Sequence, residues 1–352
     1  MLEPTETWLR EVVAGATGRP APAAVRRLPG HASRRSYWRV GDPGRDSYIV
    51  MLLAPDAAPD EIGRVGPLLG VVPFVEVQRY LARLGVRVPR VLSWSQGQGY
   101  AVLEDLGDET LNARVLGGAA PAPLYRAAID QLVSMQVRAE RAPDPGCVAF
   151  QRAFDADIYR WELDHFLEWG LGAWKGVALP GPEYEVVTAA FDAIARRIVA
   201  EATVFTHRDY QSRNLMLLPG GEQAVIDFQD ALLGPRAYDL VALLRDSYIA
   251  LEPELIVQLI RHYLATTAAA GGPQLNEAGF RESFDLLTVQ RKLKDAGRFV
   301  FIERVKGNPS FLRFVPAALG YVRDALARLP DLADLQAILA RYIPELEPEM
   351  HP

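Results

Sequence analysis

The segment Thr206-His207-Arg208-Asp209-Tyr210-Gln211-Ser212-Arg213-Asn214 places an asparagine five residues after an aspartate. Thirteen residues later, a second aspartate closes the apolar run Val225-Ile226-Asp227. These residue types at this spacing suit phosphoryl transfer. That reaction needs a carboxylate to accept or orient the proton of an attacking hydroxyl, and oxygen ligands to hold Mg²⁺ against nucleotide phosphates. Asp209 is the candidate for the first task, and Asn214 with Asp227 for the second. A loop of capping residues between two strands would account for Asn214 and for the Pro219-Gly220 turn. It does not account for His207, Asp209 and Asp227 together.

The elements that must position this loop can be read from hydrophobic spacing. Thr203–Thr206 reads as a strand leading into His207, and Leu215–Leu218 and Ala224–Phe228 as strands on either side of the Pro219-Gly220-Gly221 turn. Around them, apolar residues recur every three to four positions, predicting helices over Leu124–Ala139, Asp155–Trp169, Pro182–Ala200, Tyr238–Tyr248, Glu254–Thr266, Phe284–Glu303, Pro316–Leu329 and Leu332–Tyr342. The first hundred residues differ in character. A short helix at 5–14 and a loop over Gly18–Pro29 precede a hairpin, Ser36–Val40 and Tyr48–Leu53, turned by Gly41-Asp42-Pro43-Gly44. A helix carrying Phe74, Val77, Leu81 and Leu84 ends at Gly85, and the runs Arg90–Ser95 and Tyr100–Glu104 follow. The chain therefore reads as α+β: a small antiparallel-sheet lobe with one helix over residues 1–105, then a large helical lobe over 106–352.

Composition sets the outer limits. Of 352 residues, 49% are hydrophobic and 23% charged, which excludes a disordered or collagen-like chain. The net charge, 38 − 44 = −6, gives no reason to expect nucleic acid or an anionic membrane as partner. A single cysteine, Cys147, excludes an intrachain disulfide and fits a reducing compartment. No basic segment with an apolar run opens the chain, and no stretch approaches eighteen uninterrupted apolar residues, so a cytoplasmic protein is expected. Only four lysines occur (Lys175, Lys292, Lys294 and Lys306), none of them in the first 174 residues.

With these residues in view, the chain resembles the aminoglycoside phosphotransferase and choline kinase-like branch of the bilobal protein-kinase-like fold. It is most similar to bacterial anomeric kinases for N-acetylmuramate and N-acetylglucosamine. The residues carrying that closer likeness are His207-Arg208-Asp209-Tyr210 with Arg213-Asn214-Leu215-Met216, Asp227-Phe228-Gln229-Asp230-Ala231, Gly234-Pro235 with Tyr238-Asp239-Leu240, and Gln290-Arg291 with Leu293-Lys294 and Gly297. The resemblance implies ATP and Mg²⁺ as cofactors and a small amino sugar phosphorylated at its C1 hydroxyl in cell-wall recycling. It implies no protein, nucleic-acid or membrane partner. Kinases for aminoglycosides, choline or hexoses, and a nucleotide-binding pseudokinase, are the alternative readings.

The resemblance also distributes roles. Gly30-His31-Ala32-Ser33-Arg34-Arg35 falls where a phosphate-covering loop belongs, with Ser33, Arg34 and Arg35 as phosphate contacts; a solvated surface hairpin is the plainer reading. The strand position that carries a phosphate-binding lysine in protein kinases is Met51 here, so Glu76 on the next helix has no lysine to pair with. The backbone from Glu104 to Leu106 is expected to meet adenine. Asp239 is expected to hold the catalytic loop, with His207 as further support, or else to cap a helix. Asp230 is a candidate for a sugar hydroxyl. Arg291 and Lys294, which share a helix face with Arg298, are candidates for a sugar carboxylate, or form a solvated basic face.

Overall fold

The computed structural model describes residues 4–29, 35–52 and 73–348. Alternation along the third strand sends Tyr48, Val50 and Leu52 to one side and Ile49 and Met51 to the other, and each side finds its own cover. Five antiparallel strands form the sheet in the order β1-β2-β3-β5-β4. These are β1 (Val25–Arg27), β2 (Ser36–Gly41), β3 (Ser47–Leu52), β4 (Val91–Ser95) and β5 (Tyr100–Glu104). On the outer face, Leu9 and Val13 of α1 (Glu6–Thr17) pack on Val40, Val50, Leu52 and Val102. Thr5 caps α1 by accepting from Trp8 N at 3.2 Å, and Gly18 ends it at φ 67°. On the inner face, Phe74, Val77 and Leu81 of α2 (Pro73–Arg83) join Met51, Ala101 and Leu103 in the main core, which continues into the helical part.

The region expected to be a loop over Gly18–Pro29 contains β1, a correction to the sequence reading. Val25, Arg26 and Arg27 pair with Val40, Arg39 and Trp38 as an edge strand. Three residues with two exposed arginines carry no alternating apolar pattern, because only one neighbour and one face are available to them.

Arg39 fastens this sheet to the chain that leaves it. It is 1% exposed and its guanidinium reaches Asp105 Oδ1 at 2.8 Å, Asp108 Oδ2 at 2.8 Å and the Gly107 carbonyl at 3.0 Å. Asp105, in turn, accepts from Ser47 Oγ at 2.7 Å and from the Gly107 amide at 3.0 Å. Arg39→Leu leaves the buried Asp105 charge without its counter-ion, and should cost about 3–5 kcal/mol of unfolding free energy. Denaturant melts of the two proteins measure it; a loss below about 1 kcal/mol would mean that Ser47 and the Gly107 amide satisfy Asp105 unaided.

The helical part begins with α3 (Leu111–Leu116) and α4 (Pro121–Arg141), then α5 (Ala156–Phe166) and α6 (Gly181–Val199). Two small ladders follow. In one, β6 (Thr203–Thr206) pairs with β9 (Leu232–Pro235); in the other, β7 (Leu215–Leu217) pairs with β8 (Gln223–Val225), both antiparallel. Then come α7 (Tyr238–Leu244), α8 (Pro253–Ala269), α9 (Glu277–Lys306), α10 (Val315–Leu326) and α11 (Ala333–Ala340). The periodicity missed α3 and β9 and ran several elements too long: α10 ends at Leu326 rather than Leu329, α11 at Ala340 rather than Tyr342, and the strand expected to reach Phe228 stops at Val225. The helix expected to reach Trp169 gives way to a π-helical stretch, Leu167–Ala173, and the one expected to reach Tyr248 stops at Leu244. Among the described residues no helix is long and apolar enough to cross a membrane.

The longest element, α9, spans 30 residues, about 45 Å. Asn276 caps its start and Gly307, at φ 65°, its end. At Gly297 it presses on α5 so closely that a Cβ there would lie 2.9 Å from Phe166 Cα. Only glycine permits that approach, which brings the charged residues one and two turns earlier on α9 against α5 and the loop after β6.

Candidate active site

The loop after β6 is held by its backbone. Asp239, in the first turn of α7, accepts from the amides of His207 at 2.6 Å and Arg208 at 2.9 Å. Asp239 is fully buried, and burial raises its pKa to about 6, although His207 and the two amides oppose the rise. His207 is likewise buried, which lowers its pKa and keeps the ring neutral. Its Nδ1 accepts from the Asp209 amide at 3.2 Å, which leaves Nε2–H to donate to the Ile226 carbonyl at 3.0 Å. One imidazole thus joins the loop that carries Asp209 to the strand end that carries Asp227.

Asn214 completes the closure. Its Nδ2 donates to the Asp209 carbonyl at 2.9 Å, so its Oδ1 is free to face the cleft, and its own carbonyl accepts from Ile226 N at 3.0 Å. Among the described residues, the two non-glycines with positive φ are Arg208 (80°) and Asp227 (65°). Strain of about 1–3 kcal/mol at each is therefore concentrated beside the two carboxylates.

The carboxylates differ in their surroundings. Burial would raise the pKa of Asp209, but the charges of Arg291, Lys294 and Arg208 outweigh it and hold the group at about 2. Arg291 Nη2 lies 3.0 Å from Asp209 Oδ1, while the Asp209 side chain stays 41% exposed. Asp227 moves the other way, raised by desolvation and by the neighbouring Asp209 and Asp230 charges. It accepts from Gln229 Nε2 at 2.9 Å, and Gln229 also reaches Asp230 Oδ2 at 3.2 Å. Asp227 is thus an acid placed where a cation would favour its charged form. Arg35 Nη1 lies 3.9 Å from it. Asn214 Oδ1 and Asp227 fit Mg²⁺, which is bound by few protein oxygens and keeps waters and phosphate oxygens. Among the described residues no group of three His, Cys, Asp or Glu forms a richer metal site.

The cleft between sheet and helices is lined by apolar Ile49, Phe74, Leu103, Leu106, Met216 and Ile226, with Arg35, Asn214 and Asp227 at one end. Glu104 and Leu106 both border this cleft. The Glu104 side chain is engaged elsewhere, accepting from both terminal nitrogens of Arg87 at 2.7 and 2.9 Å. Met51 is wholly buried in the core beneath the sheet. Glu76 accepts from Val148 N at 3.3 Å, a structural contact. Ser33 and Arg34 lie outside the described residues.

Arg291 and Lys294 do not form a solvated basic face, and this corrects one of the two sequence readings. Arg291 is 4% exposed. Lys294 Nζ lies 3.7 Å from Glu162 Oε1. Glu162, on α5, is a site residue that the sequence reading missed. Its buried carboxylate also accepts from Gln290 Nε2 at 2.7 Å and lies 3.6 Å from Arg208 Nη2. The available signal was a charged residue on the apolar stripe of α5, one turn from Ile158 and from Phe166. Beyond it, Trp161, His165, Trp169 and Phe301 make an aromatic cluster with ring centroids 5.0–6.1 Å apart.

Comparison with known proteins agrees with this geometry. The chain is 35% identical over 332 residues to the N-acetylmuramate/N-acetylglucosamine kinase of Pseudomonas aeruginosa, covering 93% of this chain and 91% of that one. It is 33% identical over 323 residues to the protein of the same name from Neisseria meningitidis, covering 90% of each. In fold it matches choline kinase LicA from Streptococcus pneumoniae, with a TM-score of 0.59 at 14% identity over 91% of this chain and 99% of that one. An aminoglycoside 2'-phosphotransferase in its GDP complex matches with a TM-score of 0.61 at 12% identity, over 94% and 100%. The bilobal kinase-like α+β architecture is therefore shared. The phosphotransferase enzyme family model matches residues 24–277, well over half of the chain, with the Asp209, Asn214 and Asp227 loops inside the match. The protein belongs to the phosphotransferase enzyme family.

Proposed function

We propose that this phosphotransferase is an ATP- and Mg²⁺-dependent kinase for the C1 hydroxyl of N-acetylmuramate, N-acetylglucosamine or both, working in the cytoplasm in cell-wall recycling. The observation that carries the reading is the pairing of an intact Asp209, Asn214 and Asp227 set with near full-length similarity to relatives named for those sugars. Residues 1–105 form the nucleotide lobe and 106–352 the acceptor lobe. Adenine lies in the apolar cleft against the Glu104–Leu106 backbone. Arginine takes the place of the usual strand lysine: Arg35 faces the Asp227 end of the cleft, with Ser33 and Arg34 beside it in sequence.

In the acceptor lobe, Asp209 orients the sugar hydroxyl and takes up its proton as the new oxygen–phosphorus bond forms and the bond from the γ-phosphorus to the β–γ bridging oxygen of ATP breaks, releasing ADP. Held well below the usual carboxylate range, Asp209 is a weak base, and its main work is orientation. Asn214 and Asp227 would hold Mg²⁺, which neutralises phosphate charge when bound. Asp230 and Lys294 are the candidates for contacts to the sugar.

An acceptor panel tests the proposal: N-acetylmuramate, N-acetylglucosamine, glucose, choline and an aminoglycoside with ATP and Mg²⁺, products read by phosphorus NMR. Phosphate on C1 of an amino sugar is the expected result. Phosphate on another hydroxyl, or turnover of only choline or the aminoglycoside, would overturn it.

A further inference from the structure

Arg291 is a deeply buried cation beside Asp209. Its Nη1 donates to the Arg208 carbonyl at 2.8 Å and its Nη2 to Asp209 Oδ1 at 3.0 Å. Its guanidinium carbon lies 4.9 Å from the centre of the Tyr238 ring. Nε is buried without a hydrogen-bond partner, and the residue as a whole is 4% exposed. At 4% exposure, little of the guanidinium is open to a ligand anion. Lys294, one turn on and 18% exposed in its side chain, has better access.

The two donated hydrogen bonds land on consecutive residues. One is a backbone carbonyl in the strained Arg208 unit and the other the carboxylate that follows it. The amides on the near side of that unit are already held by Asp239, and Tyr238, beneath the guanidinium, is the residue before Asp239. The loop is thus gripped from two elements far apart in sequence, α7 through its amides and α9 through its carbonyl and side chain. A carboxylate with one oxygen bound to a rigid fork cannot rotate freely, and the Asp209 side chain is still 41% exposed. Bidentate reach across two acceptors is a property of the planar guanidinium that an ammonium lacks.

We propose that Arg291 is a positioning residue that fixes the Asp209 side chain for the acceptor hydroxyl, rather than a ligand for the sugar. The inference rests on Asp209 being the carboxylate that meets the hydroxyl. It predicts that removing the fork loosens Asp209 without disturbing either substrate site.

The test uses full-length Arg291→Ala and Arg291→Lys, with melting curves as a folding check. On whichever acceptor the wild type turns over, or on ATP hydrolysis if none, kcat of Arg291→Ala should fall on the order of 10²-fold. The acceptor KM and the nucleotide Kd should stay within about threefold. Guanidinium at tens of millimolar should restore about tenfold or more of the lost rate in Arg291→Ala and none in Asp209→Ala. Arg291→Lys, if it alone folds, should show the same split between kcat and KM. A raised acceptor KM at unchanged kcat would overturn the proposal in favour of a sugar contact. Near-normal kcat, or loss of nucleotide binding with no rescue, would overturn it as well. Wild-type turnover of no amino sugar would instead reject the acceptor assignment, leaving the kcat comparison to judge Arg291.

Discussion

Asp209→Asn should lower kcat on the order of 10³-fold while nucleotide affinity stays within about threefold of wild type. Asparagine keeps the size of the side chain and still accepts from Arg291 through its Oδ1, so the loop geometry survives. What the change removes is the negative charge proposed to orient the hydroxyl proton and receive it. Asp209→Ala removes the Arg291 partner as well, and should add a loss of stability that the asparagine variant lacks. Steady-state kinetics with calorimetric nucleotide titration check both variants. Near-normal turnover in Asp209→Asn would remove this residue from the mechanism.

Asp227→Asn acts on a different quantity. Asparagine tolerates the left-handed conformation at φ 65°, so the backbone should not object. The change removes the one charged ligand in the proposed metal pair, and the apparent Mg²⁺ requirement should rise more than about tenfold, with kcat/KM falling about 10²-fold or more at low Mg²⁺. Raising Mg²⁺ should recover part of the rate. Titrating activity against Mg²⁺ decides the matter: an unchanged half-saturation would show that Asp227 is not a metal ligand. The two variants differ in this respect, because added Mg²⁺ should not restore Asp209→Asn.

What could be read before folding was local. The candidate catalytic loop is legible because His207, Asp209 and Asn214 lie in one run of nine residues, and Asp227 follows two residues after β8, the strand paired with the β7 that starts directly after Asn214. The strands β5 and β6 matched the expected limits of Tyr100–Glu104 and Thr203–Thr206, since each sits between strong turn or loop residues. Asp239 was expected to tie down the loop, and its carboxylate does meet the His207 and Arg208 amides.

Long-range relations were not legible. Arg291 lies 82 residues from Asp209, and its spacing with Lys294 and Arg298 fits an exposed basic face equally well. Arg39 lies 66 residues from Asp105, and nothing in Ser-Tyr-Trp-Arg-Val marks that arginine as buried. Glu162 sits on the apolar stripe of α5, but nothing in the sequence says that Gln290, Arg208 and Lys294 converge on it.

By itself, the amino-acid sequence determined that the small lobe would hold no phosphate-binding lysine, that the chain would carry an Asp, Asn and Asp set at kinase spacing, and that a sheet would precede helices. Those properties depend on residue type and on separations of a few positions, where chain geometry leaves little choice. Tertiary structure alone decided which charges pair. Whether Arg291 meets solvent or Asp209 depends on α9 approaching α5 within the space that Gly297 leaves, and the worth of an ion pair depends on how much water that approach removes.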